Sequence, residues 1–87
     1  MKEQLIKSYI NKLNISDIKD FALNNNINLS NNEANIIHNI IKNNYKDILN
    51  GNYDTSFKTL KNNLSNNNYK QVKNLFFKYK EKYNHLL

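Results

Sequence analysis

The chain has 87 residues, with thirteen lysines, no arginine, seven acidic residues and a formal charge of +6. That length makes one domain with a small core and a stability of only about 5 kcal/mol. Proline is absent and Gly51 is the one glycine, so the chain lacks the punctuation of sheets and tight hairpins; the absence of cysteine removes disulfides, thiolate nucleophiles and zinc–thiolate sites.

In chain order, residues 1–13 place Leu5, Ile6, Tyr9, Ile10 and Leu13 on one side of a first helix. Asn14-Ile15-Ser16-Asp17 reads as a break and restart, with Ser16 as the cap and Asp17 suited to the positive helix end. The second helix runs to about Leu23, buries Ile18, Phe21 and Ala22, and ends at Asn24-Asn25-Asn26, because asparagine tolerates the left-handed conformation of a helix end. Ile27-Asn28-Leu29 is a short extended connector whose apolar residues drop into the core. Ser30 and Glu33 form a capping box, with Leu29 stapled onto Ala34.

The third helix carries Ala34, Ile37 and Ile41 on one line and reaches Lys42. Two readings then stand: Asn43-Asn44 ends the helix and Tyr45 to Leu49 is a separate short helical turn, which is favoured, or the helix bends there and continues through Tyr45, Ile48 and Leu49; either way Gly51 is a helix stop. Asp54 or Thr55 caps the next helix, with Phe57, Leu60 and Leu64 inward. Ser65 opens the last, where Tyr69, Val72, Leu75, Phe76, Tyr79, Tyr83 and Leu86 recur three and four apart. This stretch is expected to organise the fold, the earlier helices serving as its cover. The expected class is all-α: one domain over residues 1–87, a compact bundle of four to five short helices with a longer C-terminal helix. No apolar run exceeds three residues, so neither a signal-peptide core nor a membrane span can be drawn, and a soluble cytoplasmic protein is expected.

A lysine surplus invites a nucleic-acid reading, since clustered lysines release counterions from a phosphate backbone. Twenty-one asparagines and ten isoleucines accompany it, the skew that AT-rich codons impose, so part of the charge reads as codon drift on a solvated surface. Without arginine the bidentate fork that reads guanine edges is missing, which argues against sequence-specific DNA recognition.

The run Ser16-Asp17-Ile18, Phe21-Ala22, Ile27-Asn28-Leu29-Ser30 and Glu33-Ala34, with Val72, Leu75-Phe76 and Tyr79 at the far end, resembles the YqfT-like domain of unknown function, a small family of cytoplasmic proteins of low-GC Gram-positive bacteria. The resemblance covers roughly Ile10 to Tyr79 and implies a compact helical domain without established activity. It transfers no functional residue. Lys42-Asn43-Asn44 stands where the family often has an arginine and a glycine.

Catalytic parts are hard to assemble. His38 and His85 are the two histidines, forty-seven residues apart, and His38 has no histidine or acidic residue three or four positions away, the spacing of a helix metal site, so it reads as a boundary residue and no metal is expected. Glu3, Asp17, Asp20, Glu33, Asp47, Asp54 and Glu81 offer no pair whose surroundings would drive their pKa values apart. Ser16, Ser30 and Ser65 sit at expected caps, and one glycine builds no phosphate loop. The expectation is a protein that is not an enzyme and takes no cofactor. Most aromatic residues fall on apolar stripes and read as core. Phe77 falls off the stripe, among Lys70, Lys73 and Lys80, which makes these four residues the candidate face for a partner. The function expected is a protein-interaction or regulatory module, with another protein as partner and no membrane. The alternative is a sequence-independent nucleic-acid accessory using the lysine-rich C-terminal helix.

Overall fold

Asparagine, serine and glycine cut the chain into five helices. The computed structural model describes the backbone of residues 2–83 and the side chains of residues 4–81: α1 (Lys2–Lys12), α2 (Ile15–Asn24), α3 (Asn31–Leu49), α4 (Asp54–Asn63) and α5 (Asn66–Tyr83), with no strand among the described residues. Tyr83's side chain, His85 and Leu86 lie outside the described residues.

Helix ends follow local chemistry, with two departures from expectation at the N-termini. α2 is capped by Asn14 and not by Ser16: Asn14 Oδ1 accepts the Asp17 N–H at 2.9 Å, and Asp17 Oδ2 accepts the Asn14 N–H at 3.0 Å. Three residues beyond Ser16 stands Lys19, which cannot return such a bond, so the reciprocal pair starts the helix earlier. α4 begins at Asp54 itself, after Tyr53, which makes no side-chain cap bond. Asp54 therefore sits in the first turn, where its charge suits the helix dipole. Ser30 and Glu33 close the expected box on α3, at 3.1 Å for the Glu33 N–H and 3.0 Å for the Ser30 N–H.

Two helices end in the same Schellman geometry. After α2, the Ile27 N–H reaches Ala22 O at 2.8 Å and the Asn26 N–H reaches Leu23 O at 3.0 Å, with Asn26 at φ 64°. After α3, the Asn52 N–H reaches Asp47 O at 2.8 Å and the Gly51 N–H reaches Ile48 O at 3.1 Å, with Gly51 at φ 81°. α3 does not stop at Asn43-Asn44, and Tyr45 to Leu49 is its continuation. Asn44 is turned to a tertiary use: its amide donates to Ser56 Oγ of α4 at 3.3 Å, and Ser56 is buried. α3 is consequently as long as α5, at 19 residues against 18.

The organising helix is α3, not the C-terminal one. α1, α2 and α4 all pack on it, while α5 runs along α4 and reaches the α2–α3 core through Val72 and Leu75. That core consists of Ile18, Ala22, Ile27, Leu29 and Ala34, with Ala34 fully buried at the contact. The connector residues Ile27 and Leu29 are inward, as their alternation implied. α5 cannot be central because its apolar side is occupied along its length by α4 and the edge of α2, leaving its lysine side to water.

α1 also departs from expectation. Ile10 is buried and Leu13 packs on the core, but Leu5 and Tyr9 are 73% and 70% exposed. Around an α-helix they lie about 100° or more from Ile10, and a helix covered on one side only cannot bury both arcs. Phe21 of α2 is likewise half-exposed, its ring 5.4 Å from that of Tyr79 in α5.

A methyl group added at Gly51 would meet no atom within 4 Å, so the cost of Gly51→Ala is the left-handed backbone alone. A loss of about 1 kcal/mol is expected from the denaturation midpoint, whereas Asn26→Gly, at the equivalent position of α2, should hold stability or raise it.

Candidate interaction face and the Glu33 junction

Aromatic residues of α4 and α5 meet across the helix pair. Tyr53, Phe57, Phe76 and Phe77 contact one another in all six pairings, with ring centroids 5.2 to 5.7 Å apart and mostly edge-to-face. Such pairs add about 0.5–1.5 kcal/mol each beyond area burial when well formed. Phe76 and Phe77 are adjacent and point about 100° apart, yet both reach α4, because α4 lies between their two directions. Phe77 therefore does not stand alone among lysines. It forms the outer lip of the cluster and is 38% exposed.

The structure brings Lys73 and Lys80 to the same cluster. Lys73 Nζ lies 5.8 Å from the Phe57 ring centroid and 5.9 Å from that of Tyr69. Lys80 Nζ lies 4.8 Å from the Tyr53 centroid and donates to the Tyr53 hydroxyl at 3.0 Å. Lys70 is exposed one turn before Lys73. The result is an apolar surface edged by cations whose charge is partly engaged by ring faces. Sequence periodicity did not show this, since it ranks residues within one helix and is blind to the side from which a second helix arrives.

A second constellation is built on Glu33. Its Oε1 accepts the Ser30 N–H at 3.0 Å and the Asn68 amide at 2.9 Å, and its Oε2 accepts the Ser65 N–H at 2.9 Å. Ser65 is the cap of α5: its hydroxyl accepts the Asn68 N–H at 3.2 Å. The other Asn68 amide hydrogen goes to Asn28 O at 3.0 Å. One carboxylate thus closes the box of its own helix and supplies the acceptor that a capping glutamate in α5 would have supplied, since Asn68 holds that place. The pairing spans 32 residues of chain, and no local signal announces it.

Burial by itself pushes the Glu33 carboxyl up, but the Ser30 and Ser65 N–H donors, with the Asn68 amide and the Ser30 hydroxyl, outweigh it and hold the group below its ordinary value of 4.5. Both oxygens are engaged by structure. His38 is a boundary residue that joins helices: its Nε2 bonds Leu13 O at 2.9 Å, past the end of α1. Among the described residues no group of three or more acidic or histidine side chains could hold a metal ion, and no helix is long and apolar enough to cross a membrane. Two clefts, of about 330 Å³ between the end of α2 and α5 and about 270 Å³ between α3 and α4, have asparagine as their commonest rim residue.

Glu33→Ala should cost about 3 kcal/mol or more by leaving two backbone donors and an amide without an acceptor, against about 1 kcal/mol for Ser30→Ala. Glu33→Gln should not rescue it, because its amide nitrogen would face another donor. A depressed carboxylate contributes stability that is full above its ordinary pKa and is lost as pH falls through its folded-state value. Wild type should therefore lose stability below pH 4.5, and chemical denaturation across that range should show this component missing in Glu33→Ala. Phe77→Ala should lower stability by about 1–2 kcal/mol, less than the 3 kcal/mol or more of a fully buried phenylalanine, as read from the denaturation midpoint.

Searches of curated proteins and of solved structures return no match to this chain. The family described as Protein of unknown function (DUF2624) matches residues 1–80, which takes in α1 to α4 and nearly all of α5, and the chain belongs to that family.

Proposed function

We propose that this DUF2624 protein is a protein-interaction module without catalytic machinery, and that the lysine-edged aromatic face of α4 and α5 is a surface through which it binds another protein. The observation that carries this reading is the placement of Lys73 and Lys80. Both ammonium groups lie over the protein's own rings, and Lys80 is also held by the Tyr53 hydroxyl. Cations engaged in this way favour an apolar contact with a charged rim over a phosphate track, where lysines must reach outward to displace counterions. Phe77, half-exposed at the lip, supplies the apolar contact, and Lys70 the outermost charge.

The surroundings of Glu33 hold its carboxyl below the ordinary value, and its oxygens are committed to backbone and amide donors, which suits a structural part and not a proton donor near neutral pH. A chain without cysteine, together with the resemblance to YqfT-like proteins of low-GC Gram-positive bacteria, supports a bacterial cytoplasmic setting.

Affinity capture from native cells with wild type and Phe77→Ser, followed by titration of the captured protein at rising salt, tests the reading. Binding that is lost in Phe77→Ser and changes little between about 50 and 200 mM salt is the expected outcome. Capture of nucleic acid, with an affinity that falls steeply over that salt range and ignores position 77, would replace it with the nucleic-acid reading.

A further inference from the structure

Among the described residues, α3 is the helix that α1 packs against. Ile10 and Leu13 fill the inner side of α1, and His38 ties down the turn that follows it. The outer side carries Leu5 and Tyr9, the two most exposed large apolar side chains described. Four residues apart, they stand one above the other and form an i, i+4 ridge, the shape that seats in the groove of a second helix. Lys12 follows Tyr9 by three residues, so it lies on the same side of the helix at the end of the ridge, and it is exposed.

We propose that the outward face of α1 docks an acidic amphipathic helix of another protein, with Leu5 and Tyr9 seated in that helix's groove and a carboxylate of that helix meeting Lys12. Charge selects this occupant. A second copy of the chain would bring another formal charge of +6 against this one. Two side chains offer a few hundred Å² at most, short of the roughly 800 Å² per partner of a stable interface, so the ridge needs charge pairing beside it, which an acidic helix brings. A membrane surface calls for a broad apolar face, and α1 presents a narrow one. The face is independent of the α4 and α5 surface, since among the described residues α1 has no backbone contact with either helix.

The test places a photo-reactive phenylalanine analogue at position 9 of the full chain, in native cells, and maps the crosslinked product by mass spectrometry. Leu5 and Tyr9 are too exposed for substitution there to change folding, which an unaltered melting temperature checks. The expected product is one protein, crosslinked within a segment that has carboxylates at helical spacing. Its yield should fall severalfold with Lys12→Glu or Leu5→Ser, and a lysine replacing the partner's facing carboxylate should restore it in the Lys12→Glu background. A crosslink to a second copy of the chain, to lipid or nucleic acid, to a segment without acidic residues, or to no macromolecule overturns the proposal. Since Phe77 variants report on the other face, either surface can fail while the other stands.

Discussion

The fold depends on one buried carboxylate serving two helix N-termini. Each α-helix begins with backbone N–H groups that its own ladder cannot satisfy, and a carboxylate near them is stabilised by both hydrogen bonds and the helix dipole. Glu33 meets that need for α3 and, across the molecule, for the cap residue of α5. The start of the central helix and the start of the last are therefore fixed relative to one another before any apolar side chain is counted. Apolar burial cannot do this alone, since it is non-directional and a small core tolerates several helix arrangements. The same bonds let a charge sit at 9% exposure, a position a lone carboxylate would leave or neutralise.

Around that anchor, α3 acts as the spine because α1, α2 and α4 all pack on it. Ala34, Ile37 and Ile41 face the core shared with α2, while Asn44 turns towards α4. A zero-exposure alanine at the closest contact lets the α2 and α3 backbones approach, and the connector residues Ile27 and Leu29 then fill the gap beside it. Asparagine, abundant in the chain, is put to structural use at these joints: Asn14 caps α2, Asn26 takes the left-handed turn after it, and Asn68 bridges Glu33 and Asn28. A polar amide has both donor and acceptor, and so tolerates the irregular geometry between helices that an apolar residue would not.

The periphery is less tightly determined. α4 and α5 are joined by a small aromatic cluster in which lysine stems and ring faces replace aliphatic packing, and α1 is held from one side. Both arrangements leave large apolar side chains in contact with water on a strongly basic protein. They lie on different helices, with α3 between.

The sequence by itself determined the helical class, the Ser30/Glu33 box, the left-handed stops near Asn26 and at Gly51, and the inward placement of Ile27, Leu29, Leu60 and Leu64, because each follows from residues within a few positions of one another. Short-range rules also misplaced the starts of α2 and α4 by weighing single capping residues without their reciprocal partners. Tertiary structure alone decided the rest. Whether α3 passes through Asn43-Asn44 depends on Ser56 waiting in α4, and whether Leu5 and Tyr9 are covered depends on how many helices reach α1. Whether Phe77 is free depends on the side from which α4 arrives, and the second use of Glu33 depends on Ser65 being brought back from 32 residues away. Periodicity reports how a helix is divided into faces. Only the assembled fold says which of those faces finds a partner, because that is set by the order and angle in which the helices close around the core.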